Sequence, residues 1–233
     1  MSYEKRFSGR KFDEMREIEA KVGIIKRADG SALFRIGDTI AIAAVYGPRE
    51  LHPRFLQNPE TGILRCNYDM ISFSVPERKR PGPSRRQVEI SLVTEKALLP
   101  VVDLKQFQNS VIDVFIQIIQ ANSGTRCAGI TAASLALAHA GIPMRDMVSS
   151  VSVGKVGNKI LIDLDKDEED HEDATDIPMA ITNRGKQITL LQLDGNITKK
   201  DFIEALKLGM GGCEKIAKVQ EKALKDYYRS KNE

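Results

Sequence analysis

One stretch limits the folds open to this chain more than any other. SVIDVFIQIIQ, Ser110 to Gln120, runs into NSGTR and then into AGITAASLALAHAG, Ala128 to Gly141. A near-continuous apolar, β-branched run is expected as a strand buried on both faces. The segment after it is built from Ala, Gly, Ser and Leu, so its helix has little side-chain volume and can lie close against a sheet. Gly141 is the glycine cap that ends it. A strand, a tight turn and a close-packed helix in that order point away from purely helical and purely β architectures.

The flanking pattern is β-rich on both sides. EIEAKVGII, SALFRIG and TIAIAAVYG are short alternating or β-branched runs, and ADGSA between the first two is a hairpin signal. Residues 47–64 carry prolines at 48, 53 and 59 and are expected as a long loop. A strand is expected at about 65–75. A helix from about Ser84 to Leu99 follows, supported by good helix formers and an i, i+4 pair at Val88 and Leu92. Further strands are expected at 148–155, 158–164, 177–183 and 187–193. A C-terminal helix spans 198–229, with Thr198 and Asp201 as cap-type residues and GMGG at 209–212 as a point of interruption. Residues 1–17 are charged and aperiodic and are expected as a surface arm. No linker is visible in the 233 residues, so the expectation is one domain, 1–233, of α/β (α+β) class with mixed β-sheets and packed helices.

Composition narrows the function classes only mildly. A net charge of +3 neither demands nor excludes nucleic acid, so any basic site must come from local clustering. Cys66, Cys127 and Cys213 are far apart and odd in number, which fits a reduced intracellular protein. No apolar run approaches the ~20 residues of a membrane span, and 1–17 has no apolar signal core. A cytoplasmic protein with no membrane partner is expected.

Three segments carry chemistry. In GPSRRQ, Pro83 and Ser84 suit a helix start, which puts Arg85 and Arg86 in the first turn. Two arginines at the positive end of a helix dipole are locally unfavourable, and a bound anion would reverse that cost. Arg78, Lys79 and Arg80 add charge nearby; a solvated basic turn carries the same pattern. In NSGTR, Ser123, Gly124, Thr125 and Arg126 follow a strand and open a helix, the placement of an anion site, although an ordinary capped turn looks the same. P-loop spacing is absent. In DLDKDEEDHEDATDIP, Asp163, Asp165 and Asp167 match the opening of an EF-hand loop, but the sixth and twelfth positions are Glu168 and Ala174, so a calcium loop fails. Most of this run, Glu168 included, is expected as solvated loop. Asp176 differs, because it stands where the loop enters an apolar strand, and Asp170, six residues earlier, can share an ion with it. His52, His139 and His171 are scattered, and His139 in its apolar helix is expected to be packed.

Taken together, SGRKFDEMREI, ADGSALFRIGDT, AAVYGPRELHPR, GPSRRQVEIS, SGTRCAGITAASLAL and DLDKDEEDHEDATDIPMAI resemble the ribonuclease PH family, and within it the catalytic subunits of the archaeal exosome. The resemblance covers about residues 8–181. It implies a phosphorolytic 3′-to-5′ exoribonuclease that uses inorganic phosphate as co-substrate and releases nucleoside diphosphates, a reaction reversible as RNA tailing. It also implies a divalent metal, Mg2+ or Mn2+. The implied partners are single-stranded RNA, an inactive paralogue in a hexameric ring (a trimer of heterodimers) and RNA-binding cap subunits. By the same resemblance Arg85 and Arg86 hold RNA and phosphate, Ser123, Gly124, Thr125 and Arg126 form the phosphate turn, and Asp170 and Asp176 are the catalytic, metal-binding pair. Arg54 is a basic position in a pore loop that grips RNA. Rival readings are a bacterial-type ribonuclease PH that trims transfer RNA, an inactive RNA-binding ring subunit and a hydrolytic two-metal nuclease.

Overall fold

The computed structural model describes residues 3–231. Two sheets sandwich one helix. The first has five strands: β1 (Ile18–Val22), β2 (Gly30–Ile36), β3 (Thr39–Glu50), β4 (Ile63–Met70) and β5 (Ser110–Gln120), in the order β1-β2-β3-β5-β4. All neighbours are antiparallel except β4 and β5, which are parallel because the helix α1 (Arg85–Leu98) lies on the crossover between them. The second sheet, β6 (Val148–Val156), β7 (Lys159–Ile162), β8 (Thr175–Thr182) and β9 (Ile188–Leu191), has the order β7-β6-β8-β9 and is wholly antiparallel. Only the first sheet is therefore mixed.

The small-residue helix α2 (Thr125–His139) packs against strands of both sheets and is buried at twelve positions, from Thr125 to Leu137. Its small side chains let backbones close in. A Cβ on Gly129 would stand 3.2 Å from Ile116, and one on Gly30 would stand 2.4 Å from the Ala136 carbonyl. One continuous apolar cluster joins β2, β3 and β5 to α2, β6 and β8.

Several expectations change on this frame. β5 lies between β3 and β4, but its outer face is not covered: Phe115 is 41% exposed and rests on Tyr46. Buried strands alternate when one face packs on helices, whereas the apolar content of the segment had suggested cover on both. β3 continues through Gly47 and Pro48 to Glu50, and residues 54–56 form a short 3-10 turn. Val88 and Leu92 face outward, and α1 instead buries Ile90, Thr94, Ala97 and Leu98.

The final helix α4 (Lys199–Ser230) is unbroken, and the Thr198 hydroxyl caps it by accepting from the Asp201 amide at 3.2 Å. Two of its glycines are contact points rather than breaks. A Cβ on Gly209 would stand 2.2 Å from the Met179 sulfur, and one on Gly212 would stand 2.2 Å from Ile162. Gly209, Gly212 and Cys213 are thus spent on packing within the chain, while Gly211 faces open space.

The described part of the N-terminal segment is mostly exposed, as a surface segment should be, but it is anchored at two points. Tyr3 and Arg6 are buried, and Arg6 is only 2% exposed. A four-residue helix, α3 (Lys166–Glu169), with Asp165 as its N-cap, lies in the acidic run and buries Glu168 completely. The Glu168 carboxylate takes Arg6 Nη2 at 2.6 Å, Arg6 Nε at 2.7 Å and the Tyr3 hydroxyl at 2.9 Å. The solvated reading of Glu168 fails because its partner lies 162 residues away in sequence.

Candidate active site

The site forms where the start of α2 meets the start of β8. The NSGTR turn is tight: Ser123 and Gly124 both have positive φ, 60° and 65°, and Gly124 is the helix N-cap. Thr39, from β3, fixes it by donating to the Ser123 carbonyl at 2.7 Å and accepting from the Asn122 amide at 3.0 Å. The Thr125 hydroxyl accepts from buried Tyr68 at 2.9 Å. The first amides of α2 have no acceptor within the helix and carry the positive end of its dipole.

A cavity of about 300 Å³ opens over this helix start. Arg86, Gly124, Thr125, Arg126 and Asp176 all line it, so four of the residues expected to bind anions share one wall set with an expected carboxylate. Ser84 explains the aim of Arg86. It forms a reciprocal capping box with Gln87, and Gln87 also donates to Asp69 at the end of β4, which anchors the first turn of α1. Arg126 is held in a frame. It pairs with Glu89 of α1 at 3.4 Å and donates to Gln192 just after β9, and Gln192 itself donates to Glu89 at 3.1 Å.

Asp176 enters from the first residues of β8. Its backbone exchanges hydrogen bonds with Asp194, at 2.9 and 2.8 Å, and its carboxylate accepts from the Ser152 hydroxyl of β6. Burial pushes the carboxyl up to about 6, and the charges of Glu169 and Asp194 push the same way; the Ser152 hydrogen bond and Arg126 oppose them. The outcome is a carboxyl group able to carry a proton near neutral pH beside two guanidinium groups.

A second cavity, of about 620 Å³, shares Arg86, Gly124, Thr125 and Glu169 with the first. Ser123, Arg78, Lys79 and Lys166 line it over an apolar floor that includes Met70, Val75 and Ala121. The basic turn before α1 thus borders the same depression.

Three expected residues lie elsewhere. Arg85 is exposed and lines neither cavity. Asp170 is exposed at the end of α3 and pairs with Lys166, while its neighbour Glu169 lines both cavities. Arg54 is 80% exposed on the 3-10 turn, 3.7 Å from Glu50. Glu169, Glu89, Gln192, Asp194 and Ser152 were missed by sequence reasoning. Only Glu169, next to Asp170, carried a signal that could have found it. His139 is packed as expected: its Nδ1 accepts from the Ser31 amide at 3.1 Å, and its ring meets Tyr227 edge-on. Among the described residues no group of three metal-ligating side chains gathers, and no helix is long and apolar enough to cross a membrane.

Comparison with known proteins agrees with this geometry. The model for domain 1 of the 3′ exoribonuclease family matches residues 14–143, and that for domain 2 matches residues 146–212. The chain is 52% identical over 224 residues to exosome complex component Rrp41 of Thermococcus gammatolerans, covering 96% of this chain and 90% of that protein. It is 48% identical over 223 residues to the Methanopyrus kandleri protein of the same name, covering 96% and 93%. The fold is shared with rice Rrp46, with a TM-score of 0.83 and 22% identity over 94% of this chain and all of that one. It is shared too with a chain of the Archaeoglobus fulgidus exosome with RNA bound to the active site, with a TM-score of 0.79 and 24% identity over 92% of each. Both halves of the molecule match in order and the archaeal relatives align along nearly its whole length, so the chain belongs to the ribonuclease PH family of phosphorolytic 3′-to-5′ exoribonucleases, for which inorganic phosphate is the co-substrate.

Proposed function

We propose that this chain is the catalytic subunit of an exosome-type ring and that its reaction runs in the cavity between the α2 N-terminus and Asp176. The observation that carries the reading is the pairing, in one cavity, of an anion-binding helix start flanked by Arg86 and Arg126 with a carboxyl group whose pKa is raised to about 6. Phosphate already carries the negative charge of a nucleophile, so the site requires an anion pocket, compensating cations and an acid more than a strong base. An oxygen of inorganic phosphate bonds to the terminal phosphorus of RNA, and the bond from that phosphorus to the 3′ oxygen breaks. Protonated Asp176 gives its proton to that oxygen, and the nucleotide leaves as a diphosphate. Ser123, Gly124, Thr125 and Arg126 orient the attacking phosphate. Arg86 holds the RNA end from the cavity wall, and Arg85, exposed outside the cavity, meets the RNA farther from the reacting bond, with Arg78 and Lys79 along its approach.

A divalent ion fits the residues present. The donors are hard carboxylate oxygens, and Mg2+ binds through one or two carboxylates plus substrate phosphates rather than a closed protein cage, so it needs no three-residue cluster of the kind that is missing among the described residues. The ionised form of Asp176, with Glu169 beside it on the cavity wall, would hold Mg2+ or Mn2+; Asp170, the other expected ligand, would have to exchange its Lys166 partner outside the cavity for the ion, which would offset charge on the phosphate oxygens.

The chain works as one domain, 1–233, supported by the single apolar cluster that spans both sheets. Its partners are single-stranded RNA, an inactive paralogue alternating with it in a hexameric ring, and RNA-binding cap subunits, as the resemblance implies; that its archaeal relatives are components of an exosome complex supports assembly with other chains. Its three cysteines are free and buried, which supports a cytoplasmic setting. The test is labelled RNA incubated with the purified chain, alone and with its partner, with and without phosphate. Phosphate-dependent release of diphosphates supports the reading, and release of monophosphates without phosphate overturns it in favour of hydrolysis.

A further inference from the structure

We infer that Arg16 is a positioning residue for the attacking phosphate, holding the Asn122–Arg126 turn from behind and tying it to the acidic loop. The inference rests on the phosphorolytic reading of that turn. A turn with serine and glycine both at positive φ persists only where its surroundings over-determine it. Thr39 supplies two of the determining contacts. Arg16 supplies a third: its Nη1 donates to the Asn122 carbonyl at 2.5 Å.

The guanidinium is itself fixed. Nε and Nη2 donate to the two oxygens of Asp163 at 2.9 and 2.6 Å, and the Arg16 amide donates to the same carboxylate at 2.8 Å. The pair is largely buried, with side chains 9% and 4% exposed. Arg10 reaches the same carboxylate at 3.2 Å, and all three guanidinium nitrogens of Arg16 are committed to Asp163 or the Asn122 carbonyl, so Arg16 does not act as a phosphate ligand. Its Nη2 lies 3.5 Å from where a Cβ on Gly124 would stand, directly behind the turn. Gly37 makes the room, since a Cβ there would stand 2.5 Å from Arg16 Cδ. Asp163 opens the acidic run, and the amide of Lys166 within it donates to the Asn122 side chain at 3.1 Å. The phosphate turn and the loop leading to Asp176 are therefore registered on a largely buried ion cluster, in which Asp163 takes both Arg16 and Arg10. Misplacing reacting groups by ~1 Å can cost ~100-fold in rate, so such a register has catalytic weight.

The experiment measures the KM for inorganic phosphate, kcat at saturating phosphate and the Kd for RNA in the assembly that degrades RNA. Arg16→Lys cannot serve both Asp163 and the Asn122 carbonyl. It should raise the phosphate KM about tenfold, the worth of one charge-assisted hydrogen bond. RNA affinity should stay within about twofold of wild type. Thr39→Val, which strips the other clamp at constant shape, should shift the phosphate KM in the same direction, and Thr39→Ser should restore it. This pair decides the matter if Arg16→Lys does not fold. An unchanged phosphate KM in folded variants, or equal losses toward phosphate and RNA, overturns the inference. If the wild type shows no phosphate-dependent decay, the parent reading has failed instead. Calorimetric titration of inorganic phosphate into wild type and Thr39→Val then decides separately whether the clamp shapes an anion site.

Discussion

Glu168 and Asp176 belong to one acidic run, yet their surroundings drive them in opposite directions. Burial raises both carboxyls. At Glu168 this is outweighed by hydrogen bonds from Arg6, from the Asp165 amide and from Tyr3, and the group ends below the ordinary carboxylate range. At Asp176 the Ser152 hydrogen bond and Arg126 do not outweigh burial and the nearby Glu169 and Asp194, and the group ends at about 6. One carboxylate is held charged to fasten the N-terminal segment to the acidic loop; the other is held ready to carry a proton. Negative charge in a sequence therefore says little by itself, because the partners set its protonation and its role.

The comparison breaks most visibly at Glu168. Glu168→Gln leaves Arg6 buried without its counter-charge and should cost about 3–5 kcal/mol of stability, read by denaturant unfolding. The sign follows from linkage: the native group binds its proton less readily than the unfolded one. Its stabilisation is thus present above the ordinary carboxylate pKa and is lost as pH falls below it. A silent Glu168→Gln would show that the buried pair adds nothing over a neutral hydrogen-bonded side chain.

Asp176→Asn should lower kcat by at least ~100-fold while RNA binding survives. Here the linkage sign reverses. The native group holds its proton more readily than the unfolded one, so stability declines as pH rises from about 4 toward 6. Above pH 6 the asparagine variant should be more stable than wild type, by on the order of 1 kcal/mol after screening. Wild-type kcat should also fall on the alkaline side of an apparent pKa at or above about 6, because added phosphate charge favours the protonated form. Asp176→Asn should lose that limb. A variant both slow and less stable would make Asp176 a structural group like Glu168.

Asp170→Asn sharpens the contrast. Its exposed pair with Lys166 is an i, i+4 contact worth about 0.3–0.5 kcal/mol, so unfolding should hardly change. Turnover should nonetheless fall, and the Mg2+ concentration needed for half-maximal rate should rise. Unchanged metal dependence would assign the second carboxylate to Glu169, which lines the cavity. Arg54→Ala should have the smallest effect: several-fold weaker binding of long single-stranded RNA, a salt slope lower by about one, and unchanged phosphate affinity.

Much of the frame was legible. Ser110–Gln120, the small-residue helix after it and the Thr198-capped C-terminal helix are local signals, carried by β-branched content, side-chain size and a cap residue within the segment itself. The helix starts after Ser84 and at Ser123–Arg126 were legible too, since helix starts advertise themselves over four residues, and Arg86 and Arg126 line the cavity there. The outward Val88 and Leu92, the unbroken helix through Gly209 and Gly212 and the burial of Arg6 were not legible. Each depends on a contact with a distant strand or loop.

The sequence by itself determined the chain's elements, its arginine-bearing helix starts and its likeness to phosphorolytic exoribonucleases, because these reside in short-range periodicity, caps and motifs. Only the tertiary structure decided which acidic residue became a buried anchor, which lines the cavity with a raised pKa and which stayed in solvent. A carboxylate's charge state depends on burial and on partners within a few ångströms, and here those partners, Arg6, Ser152, Arg126 and Asp194, come from segments that the sequence keeps apart.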